Sequence, residues 1–570
     1  MKNREIAEIF ELLADVLEIK DESVFRVNAY RRVARILGDL PSDVAGLVES
    51  REILGIQGVG KGTADAIAEY LETGAISQYE RERKSIPRGL VELLSIPGLG
   101  PKTIGLLWRE LDVKSLKSLK RILRGKKILE LPGIGPKKVE NIEAGIRVYE
   151  SRSGRLTLGT VLPAALATVD ELKEATGIDQ VEVAGSIRRW RETIGDIDIL
   201  ALSSKPRLVI EAFTNLPRVT EVLAAGSTKA SVRVADGLQM DLRVVPPSVY
   251  GAALMYFTGS QAHNVHLRGL AQSKGLKLSE YGLFKGDRRV AARTEESIYK
   301  KLGMEYVEPE LREDRGEVEA ALEGTLPELV ELSDIRGDLH VHSNYSDGHS
   351  TIEDVARAAK ARGYKYVSIN DHSHSLGVAH GLTVERLLEQ AEEIAQVNER
   401  VNGIAVFSGT EADILSDGRV DFPDEVLESL DIVVASIHSG FQQSSDRITG
   451  RMISAIENPH VDIIGHPTGR LLGTRPAYDV DLERVMSAAA DSGTALEINS
   501  HHERLDLNDV NARRAAEMGV RVAISTDCHH VDQMWMMELG VRTARRGWLD
   551  RGNVLNTLTP KALLRSLSKG

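Results

Sequence analysis

Cysteine is almost absent: the 570 residues contain one, Cys528. A single thiol excludes an intrachain disulfide framework and suits a reducing cytoplasm. The chain also has no apolar run of about 18 residues, so no membrane-spanning helix is expected. Its N-terminus, MKNREIAEIFELL, carries acids and lacks the apolar core of a signal peptide. Low-complexity stretches are missing as well. What remains is ordinary globular material, 42% hydrophobic and 27% charged, with length for about three to five domains.

Positive charge is scarce in the whole chain but not in its parts. The net charge is −12, and phosphate backbones select basic surfaces. Residues 1–310 hold 46 basic and 42 acidic residues, whereas residues 311–570 hold 26 and 42. Within the front part, residues 81–150 carry 16 basic and 8 acidic residues. The back part contains 13 of the 15 histidines. A mildly basic front is therefore joined to an acidic, histidine-rich back.

Helical spacing at Ile6, Ile9, Phe10, Leu13, Val16 and Leu17 opens a helical region over 1–80. Residues 81–150 read as helices broken by Gly-rich turns. Over 151–245 the runs VEVAG, IDILAL and MDLRVV alternate with helical stretches, which implies an α/β unit. A smaller subdomain follows over 246–310, and the acidic segment 311–336 is expected to be a linker. From 337 to 570, strand-like runs end at DLHVHS, YVSIND, AVFSGTE, IVVASIH, DIIGH, ALEINS and VAISTD. Strands alternating with helices predict a parallel, barrel-like domain.

Three segments repeat Gly-apolar-Gly before a helix: GVGKGTADAI, PGLGPKTIGLL and PGIGPKKVENI. The pairs are Gly58 and Gly60, Gly98 and Gly100, and Gly133 and Gly135. Glycine lets the backbone approach a ligand, and the next helix offers free amides to a phosphate. Lys61, Lys102 and Lys137 add charge there. Repetition in a basic region points to sequence-independent binding of a nucleic-acid backbone. The segments resemble helix-hairpin-helix motifs.

In GSIRRWRETIGDIDIL, Asp196 and Asp198 flank Ile197 on a predicted strand, so both carboxylates share one face. Asp241 lies on a second strand-like run, QMDLRVV. Three converging carboxylates form a hard-oxygen site suited to Mg²⁺ or Mn²⁺. Gly185 and Ser186 precede them and can cradle phosphate oxygens, with Arg188 or Arg189 supplying charge.

This stretch, with YFTGS at 256–260 and FRVNAYRRVARIL at 25–37, resembles the family X DNA polymerases of the DNA polymerase beta type. The resemblance covers the whole chain. It implies a multidomain α/β protein: an all-α helix-hairpin-helix N-terminal region, a nucleotidyltransferase palm with a small thumb-like subdomain, and a C-terminal distorted (β/α)7 barrel. It implies catalysis by Asp196, Asp198 and Asp241 with two Mg²⁺ or Mn²⁺ ions. It places nucleotide contacts at Arg155, Gly185, Ser186, Arg189, Tyr256, Phe257, Gly259 and Asn264, and a template-side contact at Arg268. Tyr256 and Phe257 would lie beside the sugar and disfavour a ribose 2′-OH. Three positions depart from the pattern. Trp190 replaces a small residue and would put a bulky ring beside the phosphate loop. Gln239 stands where an arginine is usual. Ala66 occupies the position of a Schiff-base lysine and cannot form an imine with an abasic sugar.

The histidine-rich half ends its strands in metal-ligand residue types. His340 and His342 share a strand face, and Asp347, His372, Glu411, His438, His466, Asp527 and His529 follow. Ligands at the C-terminal ends of successive strands converge on one mouth of a barrel. Mixed histidine and carboxylate sets suit Zn²⁺, Mn²⁺ or Fe²⁺. This half resembles the polymerase and histidinol phosphatase (PHP) domain, and all nine of that family's ligand positions carry ligating types. The resemblance implies a phosphoesterase with up to three Mn²⁺ or Zn²⁺ ions that removes 3′-terminal nucleotides; some relatives cut at abasic sites. Asp371 and Asn499 are expected to support the ligands, and Cys528 to pack.

The expectation is a family X DNA polymerase that fills short gaps in DNA repair and carries its own 3′–5′ exonuclease. Its partners would be gapped or nicked DNA and deoxynucleoside triphosphates, with no membrane, as a cytoplasmic monomer. The alternative is a PHP nuclease whose polymerase-like half only binds DNA.

Overall fold

The computed structural model describes residues 3–38, 44–49, 52–56, 59–96, 98–123, 125, 127–152, 155–234 and 237–567. The chain divides into two compact units, residues 1–153 and 154–570.

The first unit is helical. The predicted N-terminal periodicity becomes the helix Asn3–Ile19, whose Ile6, Phe10, Leu13 and Leu17 are fully buried. The hairpins follow one rule. The middle apolar residue, Val59, Leu99 or Ile134, is buried, while Gly60, Gly98, Gly100, Gly133 and Gly135 are exposed. Gly98 and Gly133 have left-handed φ values of 80° and 75°, which glycine adopts without steric cost. Helices Lys61–Thr73, Pro101–Leu111 and Pro136–Arg152 start directly after the second glycine of each pair. Gly60 and Gly100 give no side-chain cap to their helices, so first-turn amides are left for a ligand. Lys61, Lys102 and Lys137 are exposed beside them. Gly58 lies outside the described residues. Ala66 packs in the core formed with Phe10 and Ile67.

The second unit begins with a five-stranded mixed sheet. Its order is Val181–Val183, Asp196–Leu202, Gln239–Val245, Lys229–Val234, Val219–Ala225. Helices Leu158–Thr176 and Pro206–Thr214 bury Val161, Leu172, Val209 and Phe213 in the core shared with this sheet. A small antiparallel sheet, Lys277–Ser279, Gly282–Lys285 and Arg288–Ala291, packs with helices Gln261–Ser273 and Glu295–Leu302.

The expected linker at 311–336 is instead packed structure. It contains the helix Glu317–Glu323, and Leu311, Val318, Ala321 and Leu329 join the core around Tyr299. Its acidity reads as solvated surface, yet several of its charges, and acids just before it, are buried and paired. Glu317 sits 2.6 Å from His263 Nδ1 with both side chains fully buried. Glu310 accepts from Arg542 and Arg545 at 2.7 and 2.8 Å.

Buried Arg312 pairs with Glu295 at 2.6 Å, and Glu295 also takes both terminal nitrogens of Arg188 at 3.0 and 2.6 Å. Burial alone would raise the Glu295 carboxyl, but the two guanidiniums outweigh it and hold it at about 2. Removing one partner from a buried ion network leaves uncompensated charge, so Glu295→Ala should cost about 3–5 kcal/mol, read as a lower denaturant midpoint. Because the folded value lies below the ordinary 4.5, this stabilisation is complete above that pH. It should fade as pH falls toward about 2, and the variant should show a flatter acid-unfolding profile.

Seven parallel strands form the remainder in strict sequence order. They are Gly337–Val341, Tyr366–Ile369, Ala405–Asp413, Ile432–Ser436, Ile463–Ile464, Ala495–Asn499 and Val522–Ser525. The ring nearly closes where Val341 bridges Cys528 and Asp527 N donates to His340 O at 2.9 Å. Cys528 is buried in the barrel core.

Candidate active sites

In the palm, strands Asp196–Leu202 and Gln239–Val245 run parallel with Asp198 opposite Asp241. Alternation buries Ile197, Ile199, Met240 and Leu242 on the core side. The same alternation leaves Asp196, Asp198 and Asp241 on the other side, where one oxygen from each lies within 4.8 Å of the others. Asp241 is fixed by Ser231 Oγ and by Gln239 Nε2, which donates at 3.1 Å. Gln239 thus orients the third acid. Burial, then repulsion from Asp196 and Asp241, pushes the Asp198 carboxyl up to about 7. A divalent cation offsets both causes, so this acid set fits one.

Gly185 has φ 56°, and a Cβ there would fall 2.1 Å from Asp198 Oδ2. Only glycine lets this loop pass so close to the acid. A cleft of about 870 Å³ opens beside it. All eight residues expected to hold a nucleotide line this cleft: Arg155, Gly185, Ser186, Arg189, Tyr256, Phe257, Gly259 and Asn264. Arg268, expected on the template side, lines it too. Asn264 Nδ2 donates to Tyr256 O at 2.8 Å, and the Tyr256 and Phe257 rings meet edge to face at 5.2 Å.

The structure distinguishes the two arginines of this loop and turns Trp190 away from the cleft. Arg188 is committed to Glu295 and Thr258, leaving Arg189 as the arginine of this pair that reaches the cleft. Trp190 does not line the cleft. Its backbone is left-handed, φ 52°, and its ring packs against Arg542 at 4.6 Å. Sequence reasoning missed Glu313, which lines the cleft and pairs with both Arg189 and Arg546 at 3.2 Å. Its acidic neighbourhood was the only signal, and that signal points to solvent.

At the barrel mouth, Glu411 stands at the centre of a ring of imidazoles. His372 Nδ1, His466 Nε2 and His438 Nε2 approach it at 2.8, 2.9 and 3.2 Å, and His340 and His342 Nε2 at 3.5 and 3.7 Å. Three groups bring ligand atoms within 4.8 Å: His342, Asp347, His372 and His529; His340, His342 and Asp527; and His372, Glu411 and His438. These groups hold eight of the nine predicted positions, and the ninth, His466, joins them through Glu411. His466 and Asp527 have left-handed φ values of 28° and 51°, backbone strain of the kind that collects at functional sites.

The donors fit divalent metals on two observations. His340 Nε2 and His342 Nδ1 are buried without hydrogen-bond partners. Burial, then the neighbouring His529 and His372, lowers His342 to about 3, so its ring is neutral and keeps a lone pair for a cation. For Glu411, burial would raise the carboxyl, but His438, His372 and His340 hold it well below the ordinary range.

Supporting groups come from distant positions. Glu497 accepts from His340 Nδ1 at 2.8 Å and from His466 N at 2.7 Å. Asn499 Nδ2 donates to Asp527 Oδ2 at 2.9 Å. Asp371 is tied down by Ser343, Ser346 and Gln390. Such partners fix ring orientation at metal sites. Glu497 has no sequence signal beyond its place on a strand.

Known proteins share these features. Residues 1–76 match a helix-hairpin-helix domain family, 90–147 a SAM-like helix-hairpin-helix tandem, 253–313 the DNA polymerase beta thumb and 338–501 the PHP domain. The chain is 38% identical over 566 residues to the DNA polymerase/3'-5' exonuclease PolX of Bacillus subtilis (strain 168), covering 98% of each. A probable phosphatase of Caldanaerobacter subterraneus subsp. tengcongensis is 35% identical over 237 residues, 39% of this chain and 88% of the relative. No helix among the described residues is long and apolar enough to cross a membrane. With its thumb, its PHP barrel and a full-length relative in agreement, the chain belongs to the family X DNA polymerases that carry a C-terminal PHP domain.

Proposed function

We propose that this chain extends primer ends in gapped or nicked DNA during repair, and that its barrel hydrolyses phosphodiesters from a 3′ end. The observation that carries the reading is Asp198 opposite Asp241 on parallel strands, facing a cleft that Ser186 and Arg189 line. Two Mg²⁺ or Mn²⁺ ions held by Asp196, Asp198 and Asp241 would supply the charge that activates a primer hydroxyl and steadies pyrophosphate. The Gly185 and Ser186 loop with Arg155 and Arg189 would bind the triphosphate of a deoxynucleotide. Tyr256, Phe257, Gly259 and Asn264 would hold its sugar and base. Asp241, oriented by Ser231 and Gln239, would help deprotonate the primer 3′-hydroxyl.

In the barrel, up to three Mn²⁺ or Zn²⁺ ions held by the nine ligands would polarise the phosphoryl group and activate water. Glu497, Asn499 and Asp371 would help keep those ligands in place. The hairpins at Gly60, Lys61, Gly98, Gly100, Lys102, Gly133, Gly135 and Lys137 would grip the DNA backbone without reading bases, with Arg268 on the template side. The protein would work in the cytoplasm as a monomer. A 5′-labelled gapped duplex with Mn²⁺ tests the reading: lengthening with deoxynucleotides and shortening without them is expected. Shortening alone under both conditions would leave a nuclease with a DNA-binding palm.

A further inference from the structure

Arg504 stands out at the barrel mouth. It lies on the loop after the strand Ala495–Asn499, and its Nε approaches Asp527 Oδ2 at 3.3 Å. That carboxylate already accepts from His342 Nε2 at 3.1 Å and Asn499 Nδ2 at 2.9 Å. Arg504 Nη1 is buried without a hydrogen-bond partner, and the side chain as a whole is only 19% exposed. Arg451, on the barrel helix Ser445–Glu457, behaves otherwise. It is more deeply enclosed and spends its guanidinium on Leu415 O, Ser439 O, Gln443 Oε1 and Ile414 O. Unsatisfied donors at a buried site are costly. A fixed cation beside ligands that gather cations is costlier still, unless an anion joins them.

The loop is built to hold this side chain still. Arg470 Nε donates to Arg504 O at 2.9 Å, its Nη2 donates to Leu505 O, and the same Nη2 pairs with Glu192 of the palm at 2.8 Å. Leu505 has a left-handed φ of 42° and is buried among palm core residues with Leu539 and Met536. A leucine in that conformation is strained, and the palm packing holds it there. Rigid support of this kind is what a positioned binding group needs.

We propose that Arg504 binds the non-bridging oxygens of the phosphate ester hydrolysed at the barrel mouth. This rests on the phosphoesterase reading above. The guanidinium would donate two N–H groups to one phosphate, adding to the charge the ligands gather. Arg504 does not line the palm cleft, so primer extension should not depend on it.

The test uses the full-length protein, with thymidine 5′-monophosphate p-nitrophenyl ester as substrate and inorganic phosphate as competitor. Arg504→Met should lower kcat/KM for the ester about 100-fold. It should also weaken inhibition by inorganic phosphate about tenfold. Bound-metal content and primer extension should match wild type, and Arg504→Lys should recover part of the phosphate inhibition. Unchanged phosphate inhibition in Arg504→Met would overturn the proposal. So would loss of metal with full activity restored by excess Mn²⁺, since Arg504 would then act only through Asp527. If the wild type leaves the ester and DNA 3′ ends intact while holding metal, the phosphoesterase reading fails first and takes this inference with it.

Discussion

Asp198→Ala should lower single-nucleotide addition into a one-nucleotide gap by about 10³-fold or more. Its carboxylate shares the strand face with Asp196 and faces Asp241 across the parallel pair, so no neighbour replaces it. The fold should survive. Burial and two like charges push this carboxyl up to about 7, so its removal relieves repulsion. A thermal midpoint no lower than wild type would separate a chemical loss from a structural one. Hydrolysis at the barrel should be unchanged.

His342→Ala should produce the opposite pattern, with hydrolysis of a 3′-terminal nucleotide falling by about 10³-fold or more and nucleotide addition retained. His342 belongs to two of the three ligand groups, and its neutral ring lies 3.1 Å from Asp527 and 3.7 Å from Glu411. Losing it opens two sites at once. Metal analysis of the purified variant should show fewer bound ions than wild type. Full occupancy with normal hydrolysis would remove His342 from the ligand set.

The sequence was most readable where chemistry follows a short period. Asp196 and Asp198, and His340 and His342, are each two apart, and a strand turns that spacing into a shared face. The seven runs ending in ligand types became seven strands in the same order because each is short, rich in apolar residues and buried on both faces. Hidden features depend on partners far along the chain. Glu497 reaches His340 across 157 residues, and Arg470 reaches Glu192 across 278. The acidic run at 311–336 misled for the same reason. Its charges look solvated until Arg312 meets Glu295 and Glu317 meets His263 inside the fold. Trp190 was legible as unusual, but not its direction, because Arg542 of the barrel claims its ring.

Under the proposed function the palm and barrel sites work separately, which makes a crossed result obligatory. Asp198→Ala and His342→Ala should be compared on one 5′-labelled gapped duplex with Mn²⁺, with and without deoxynucleotides. Asp198→Ala should yield only shortened product, and His342→Ala only lengthened product. Loss of both products from either folded variant would contradict the separation of the two sites.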